Sequence, residues 1–187
     1  MRRLVYLCIV LAIVSGCGGG GPAGNKSLIV KAQPQEFTAG NMHCNLVLKV
    51  YNATSSSSST FPSTLLYTTF VILDDQGVGS AVLSVPSGVY DIYVKEPTHL
   101  SVLYRSWVYN PNSPGTLNFG TLYAGDCNND DTVNQLDLSY LTSKWNTNDP
   151  LADINRDGIV NQKDMDILNA ILDPVNGLPT GGPILLP

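Results

Sequence analysis

Two short acidic segments carry the residues best suited to chemistry in this 187-residue chain. The first, GDCNNDDTVNQLDLSYLTSKW at residues 125–145, sets carboxylates and amides at nearly every second position before an amphipathic helical pattern. The same arrangement returns 27 residues later as ADINRDGIVNQKDMDILNAIL at residues 152–172. Alternating oxygen-bearing side chains in a tight loop are suited to a hard divalent cation. The repeat therefore indicates two related metal-binding loops.

Both loops fit the twelve-position calcium loop of the EF-hand. In that loop the side chains at positions 1, 3, 5 and 12 and the main-chain carbonyl of position 7 bind the ion, and position 9 often acts through a water. The six positions of the first loop are Asp126, Asn128, Asp130, Thr132, Asn134 and Asp137. Those of the second loop are Asp153, Asn155, Asp157, Ile159, Asn161 and Asp164. We expect calcium as the cofactor, with two ions per chain.

Two features separate these loops from ordinary EF-hands: position 12 is Asp rather than Glu, and no helix precedes either loop. Together with the repeat, they resemble type I dockerins, which are paired loop–helix halves. The resemblance implies that residues 125–173 bind two Ca²⁺ ions and dock onto a cohesin domain of a partner protein. The apolar faces of the two helices match across the repeat: Leu138, Leu141 and Trp145 in the first, and Met165, Leu168 and Leu172 in the second.

Type I dockerins concentrate partner recognition at loop positions 10 and 11, where Ser-Thr is frequent. The corresponding candidate partner-binding residues here are Gln135, Leu136, Gln162 and Lys163. The docking face therefore differs from the usual pattern, and its two halves differ from each other.

The two sites are also expected to differ in affinity. Position 6 makes a sharp turn that usually needs a positive φ, which glycine adopts freely. Gly158 meets this need in the second loop, whereas Asp131 occupies the position in the first. Asp131 and Arg156 are both expected to face solvent, where their charges are screened. The backbone cost at Asp131 therefore predicts a weaker first site.

The N-terminus reads as an export signal. Arg2 and Arg3 precede an apolar run at residues 4–14, which is too short to span a bilayer. The following VSGC resembles the lipobox of bacterial lipoproteins, in which the Cys becomes the lipid-modified first residue. This implies a signal peptide at 1–16, lipidation of Cys17, a Gly-rich tether at 17–25 and an exported chain anchored to the outer face of a bacterial or archaeal membrane. A plain secretory signal with an incidental Cys is the alternative.

Residues 26–124 contain seven short β-type runs separated by turn residues, which predicts an antiparallel β-sandwich. The fold class expected for the chain is mainly β plus small α: this sandwich, then an all-α pair of calcium loop–helix motifs at 125–173, then a flexible tail at 174–187. Within the sandwich, VPSGVYDIYVKEPTHLSVL resembles a signature of transthyretin-like and carboxypeptidase-regulatory-like domains. Such domains are mostly spacers, stalks or carbohydrate-facing modules.

Composition narrows the function classes. Ten of the fifteen acidic residues fall between Asp126 and Asp173, and no basic cluster indicates nucleic acid. Neither GxSxG nor HExxH occurs, and the sequence pattern indicates no catalytic acid–base pair outside the calcium loops, so we do not expect an enzyme. Cys44 and Cys127 are left either as a disulfide or as two separate thiols.

These observations favour a lipid-anchored, surface-exposed calcium-binding adaptor that docks onto a cohesin-type partner in polysaccharide-degrading or cell-surface assemblies. The alternative is a carbohydrate-binding surface lipoprotein whose calcium module is only a structural end-cap. Four aromatic residues are candidates for such a polysaccharide platform, although packing of the sandwich would also account for them. They are Tyr93, Tyr104, Trp107 and Tyr109.

Overall fold

A computed structural model describes residues 26–37, 42–53 and 64–186. The predicted signal peptide, the tether and Cys17 lie outside these described residues. Within them, no helix is both long enough and apolar enough to cross a membrane.

The described residues form eight strands and two α-helices. The first seven strands are β1 (Leu28–Pro34), β2 (Cys44–Asn52), β3 (Leu65–Leu73), β4 (Val78–Ala81), β5 (Gly88–Lys95), β6 (Val102–Tyr109) and β7 (Thr116–Leu122). The helices α1 (Gln135–Ser143) and α2 (Gln162–Leu172), a short 3₁₀ helix (Pro174–Asn176) and β8 (Ile184–Leu186) complete the order. The prediction of a mainly β chain with a small α part is confirmed.

The strands form two sheets around one apolar core. One sheet has the order β4-β1-β7, and the other has the order β3-β2-β5-β6-β8. Alternation along each strand directs one face inward, as at Leu46, Leu48 and Val50 of β2, which are fully buried. Leu28 and Leu117 of the smaller sheet belong to the same core cluster. The two sheets therefore pack face to face as a β-sandwich.

The sandwich is not purely antiparallel. β1 pairs with β7 in parallel, and β6 pairs with β8 in parallel. Parallel neighbours need a long connection, and each of these pairs is joined by chain that passes through other elements first. Alternation within single strands carries no information about such distant pairings, so the antiparallel prediction missed them.

The four aromatic residues of the proposed sugar platform serve mainly as packing. Tyr109 is 1% exposed and Tyr93 is 8% exposed. Tyr104 and Trp107 are partly buried against the sandwich core. Their rings are therefore not displayed together as a flat stacking surface.

A second, smaller core lies under the two helices. Leu141 of α1 and Leu168 and Ile171 of α2 are buried there, with partly buried residues such as Leu138 packed around them. Trp145 lies beyond the end of α1 and is 37% exposed, so it does not extend the apolar face of that helix as predicted. Cys127 belongs to this core and Cys44 to the sandwich core, where both are free buried thiols.

The carboxyl-terminal segment differs from the flexible tail predicted for residues 174–187. Val133 N–H donates to the carbonyl of Thr180, at 2.8 Å between N and O. Gly182 N–H donates to the Asp131 carbonyl at 2.9 Å, and Ile184 N–H to the Ser101 carbonyl at 2.8 Å. The tail therefore runs between the first acidic loop and β6. Both elements give it hydrogen-bond partners that the sequence pattern of the tail does not reveal.

Candidate metal centre

Each acidic loop is closed by the carboxylate at its first position. Asp126 Oδ1 accepts from Asp130 N–H and Asp126 Oδ2 from Asp131 N–H, both at 2.9 Å. Asp153 accepts from the equivalent groups, Asp157 N–H at 3.1 Å and Gly158 N–H at 2.9 Å. The two loops thus share one fold, which follows from their shared residue spacing.

The side chains at positions 3 and 5 continue the same winding. Asn128 Oδ1 accepts from Asp130 N–H and Asp130 Oδ1 from Thr132 N–H, both at 2.9 Å. The second loop repeats these bonds, from Asp157 N–H to Asn155 Oδ1 at 2.8 Å and from Ile159 N–H to Asp157 Oδ1 at 3.3 Å. These bonds hold the side-chain oxygens at positions 3 and 5 against the main chain of their own loop.

Positions 9 and 12 belong to the helix N-termini as well as to the loops. Asn134 caps α1 by accepting from Leu136 N–H, and Asp137 Oδ2 accepts from Asn134 N–H at 2.8 Å. Asn161 and Asp164 form the same capping box on α2. Asp137 Oδ1 also accepts from Asn128 N–H at 3.1 Å. Each helix start is therefore fixed to its own loop.

Positions 4 and 6 of both loops take left-handed backbone conformations. The φ angles are 60° at Asn129 and 67° at Asp131 in the first loop, and 57° at Arg156 and 96° at Gly158 in the second. The positive φ expected at position 6 is present in both loops, although only the second has glycine there.

The residues present fit a hard cation. Asp126, Asp137 and Asp164 are fully buried, and Asp153 is nearly so. Burial raises the pKa of Asp137, and the charges of Asp126 and Asp130 raise it further against the hydrogen bonds from Asn134 and Asn128 N–H. Bare carboxylates are disfavoured in such a place, and a bound cation would offset both the burial and the mutual repulsion.

The second loop has the same electrostatic character. Burial raises the pKa of Asp153, and the charges of Asp164 and Asp157 add to that rise. In the part of the chain that the structure describes, no three His, Cys, Asp or Glu side chains form a group that could hold a metal ion. The predicted ligand set accordingly depends on amide and main-chain oxygens at positions 3 and 7 as well.

The valines at position 8 lie in the shared core but do not pair through their main chains. Val133 is 2% exposed, and Val160 is fully buried. Val160 N–H donates to the Thr147 carbonyl at 2.8 Å, whereas Val133 N–H donates to the tail. The two loops therefore meet through side-chain packing.

The four candidate partner-binding residues lie in the first turns of the helices, where all are exposed. Leu136 is 61% exposed. Lys163 Nζ donates to Asp157 Oδ2 at 2.8 Å, and Gln162 Nε2 donates to Asp166 Oδ1 at 2.8 Å. The two exposed residues at the start of α1, Gln135 and Leu136, are therefore uncharged, whereas the exposed surface at the start of α2 carries Lys163 and Asp166.

Arg156 is exposed as expected and Asp131 is half-buried, but the side chains of both also reach the sandwich. Asp131 accepts from Ser101 N–H at 2.7 Å and from Ser101 Oγ at 2.5 Å. Arg156 donates to Glu96 Oε1 at 3.1 Å. The sequence pattern does not reveal Glu96, Ser101 and Lys95 as neighbours of the loops. The one available signal was the unusual Asp at a position that favours glycine.

Fold and site together define a β-sandwich followed by a duplicated calcium loop–helix module. The family model described as the dockerin type I domain matches residues 124–173. This segment is therefore a dockerin type I domain, a calcium-binding docking module, in agreement with the resemblance carried by the loops. No curated protein matches the chain as a relative.

Two solved structures are similar to the chain. A chain from an N-terminal interface mutant of a type II Cohesin-X-Dockerin complex from Acetivibrio cellulolyticus matches with a TM-score of 0.51 and 15% identity, covering 76% of this chain and 92% of that one. A chain from a C-terminal interface mutant of this complex matches with a TM-score of 0.48 and 16% identity over the same shares. Because the identity is only 15%, the similarity to the first of these structures shows a shared fold and nothing further.

Proposed function

We propose that the protein is an exported, lipid-anchored adaptor whose calcium-loaded dockerin domain docks onto a cohesin-type module of a partner. The observation that carries the proposal is the duplicated loop closure, with buried carboxylates at positions 1 and 12 of both loops, inside a segment that matches the dockerin type I domain. The Acetivibrio cellulolyticus structure that matches with a TM-score of 0.51 is a Cohesin-X-Dockerin complex, which supports the same class of partner.

Each loop would hold one Ca²⁺ through its six predicted positions. The ion removes the repulsion among three carboxylates that otherwise lie in one short loop. With a dissociation constant near ~1 μM and calcium near ~1 mM, binding would add roughly 4 kcal/mol of stability per site. That amount is comparable to the whole stability of a small domain, so docking should require calcium.

Docking would use the exposed helix starts. Leu136 offers exposed apolar surface beside the uncharged Gln135, and the centre of a protein interface is depleted of charged residues. The start of α2 carries Lys163 and Asp166 and would contribute polar contacts. The anchor at Cys17, the surface location and a setting in polysaccharide-degrading or cell-surface assemblies belong to the same proposal.

The test is binding of the full chain to cohesin modules from its own host, in calcium and in chelator. We expect retention in calcium, release in chelator, and loss in the double variant Asp137→Ala, Asp164→Ala. Asp74→Ala, in the β3–β4 turn, is the matched control. Failure of every host cohesin to bind the calcium-loaded chain would reject the adaptor and leave the end-cap role.

A further inference from the structure

One short segment of the sandwich, residues 95–101 between β5 and β6, touches both calcium loops. Lys95 and Ser101 reach the first loop, and Glu96 reaches the second. This junction segment starts with the last residue of β5 and ends immediately before β6. Both strands belong to the larger sheet, which fixes the position of the segment. The contacts are polar and specific, in contrast to a loose linker between two domains.

In the first loop the junction segment holds the carboxylate at position 1. Lys95 Nζ donates to Asp126 Oδ2 at 2.5 Å and lies 3.7 Å from Asp131 Oδ1. Lys95 and Asp126 are both buried, and Lys95 Nζ also donates to the His99 carbonyl. An ammonium group in this place orients one ligand and draws together two carboxylates that would otherwise repel.

The second loop provides an internal comparison. Asp153 accepts from the two equivalent main-chain donors, but no lysine among the described residues forms a hydrogen bond or an ion pair with it. The Arg156 side chain points away from this loop instead. Its guanidinium carbon lies 3.6 Å from the centre of the Phe37 ring, and its Nη2 donates a hydrogen bond to Glu96 Oε1. Arg156 Nη1 also donates to the His43 carbonyl at 3.2 Å.

Glu96 is itself rigidly held. Its Oε2 accepts from Thr98 N–H at 2.8 Å and from Thr98 Oγ1 at 2.6 Å, and it lies 2.7 Å from His99 Nδ1. His99 Nε2 lies 3.0 Å from the Gln35 carbonyl. Burial alone would raise the pKa of Glu96, but the hydrogen bonds and charge of His99 and the bonds from Thr98 lower it to about 2.

The groups that reach the sandwich, Asp131 and Arg156, are themselves loop positions 6 and 4. Their backbones take left-handed conformations that depend on loop closure. A cation that closes a loop therefore also fixes the position of the side chain that contacts the sandwich. By reciprocity, the sandwich contacts favour the closed loop.

From this geometry we infer that the junction segment, which lies outside the dockerin domain, holds both calcium loops in their closed form, with Lys95 as a positioning residue for Asp126. Calcium binding then joins the sandwich and the dockerin domain into one cooperative unit. The inference rests on the two calcium sites proposed above but does not require a cohesin partner.

The chain carries one tryptophan reporter in each domain. Trp107 packs against the sandwich core, and Trp145 follows α1 in the dockerin domain. In the full chain, Trp145→Phe leaves fluorescence to report only the sandwich, and Trp107→Phe leaves it to report only the dockerin domain. Thermal unfolding of both variants is followed in calcium and in chelator.

We expect calcium to raise the unfolding midpoint at Trp107 as well as at Trp145. Adding Lys95→Met should reduce the calcium-induced shift at Trp107 by about half or more, while the shift at Trp145 persists. Lys31→Met, at an exposed position of β1, is the matched control and should leave both shifts unchanged. The inference would be overturned if calcium left the unfolding midpoint at Trp107 unchanged. It would also be overturned if the calcium-induced shift at Trp107 were the same in Lys95→Met and in Lys31→Met.

Glu96→Gln gives a second test if Lys95→Met does not fold, because it weakens the other contact. It should also reduce the calcium-induced shift at Trp107, whereas Glu36→Gln, at the only other glutamate, should not. An unchanged shift in Glu96→Gln would again count against the coupling. Coupled unfolding without cohesin binding would reject the proposed function while leaving this inference standing.

Discussion

Asp131 of the first calcium loop accepts two hydrogen bonds from Ser101 of the sandwich, one from the main-chain N–H and one from the hydroxyl. These two hydrogen bonds give the residue at position 6 a role in the contact between the loop and the sandwich. An aspartate with positive φ is a backbone cost in the loop alone, but here its carboxylate fastens that loop to a neighbouring domain.

The first prediction concerns Asp131→Gly, which relieves the backbone but removes the carboxylate. Relief of the positive-φ strain should stabilise the folded state by about 1 kcal/mol. Loss of a hydrogen bond to a charged group should destabilise it by about 1.5–3 kcal/mol. We expect the free energy of unfolding of the full chain to fall by roughly 1 kcal/mol, measured by urea unfolding in calcium.

Asn129→Gly is the matched control for that change. Asn129 also has a positive φ, at 60°, but lies at the exposed position 4 of the loop. It should be neutral or slightly stabilising. If Asp131→Gly instead stabilised the chain as much as Asn129→Gly, backbone strain would outweigh the contact with Ser101.

The second prediction is a pH dependence at Glu96. Because its pKa is lowered from 4.5 to about 2, its contribution to stability is present above pH 4.5 and is lost as pH falls toward 2. The shift corresponds to roughly 3 kcal/mol at most. Between pH 5 and pH 3, the unfolding free energy of the wild type should fall more than that of Glu96→Gln.

Both proteins are compared in chelator, so that release of calcium in acid does not enter. The raised pKa values of Asp137 and Asp153 act in the opposite direction, since protonation of these acids favours the folded state. They are common to both proteins and cancel in the comparison. Parallel pH profiles would show that Glu96 contributes no net stability as a carboxylate.

The third prediction concerns the docking surface. Leu136→Asp places a charge on the exposed start of α1 and should weaken cohesin binding by at least about tenfold. Val175→Asp, at an 88% exposed site in the 3₁₀ helix outside the dockerin domain, is the control. Full affinity in Leu136→Asp, measured after calcium loading is verified, would place docking elsewhere.

The fourth prediction concerns the anchor. Cys17→Ala should move the protein out of the membrane fraction or leave its precursor uncleaved, because the lipid and the processing site would both be lost. Cys8→Ala, within the apolar run, should change neither property. Unchanged membrane partitioning and processing in Cys17→Ala would contradict lipidation at that residue.

The calcium loops and helices could be predicted because their determinants are local. Ligand spacing, N-cap residues such as Asn134 and the apolar period of α2 all lie within a few turns of chain. The sandwich strands were likewise visible in their alternation. These features need no knowledge of distant contacts.

The junction between the domains could not be predicted, because its determinants are distant in sequence. Lys95 meets Asp126 across 31 residues, and Arg156 meets Glu96 across 60. An outward lysine at a strand end ordinarily faces water. The tail strand β8 has three residues and a Gly- and Pro-rich approach, so it gave no periodic signal.

The most direct test of the central claim is calorimetric titration of the full chain with calcium. Two carboxylate loops predict two ions per chain, one ion in either Asp137→Ala or Asp164→Ala, and none in the double variant. A stoichiometry that stayed the same in these variants, or an absence of binding by the wild type, would contradict the calcium module on which the account depends.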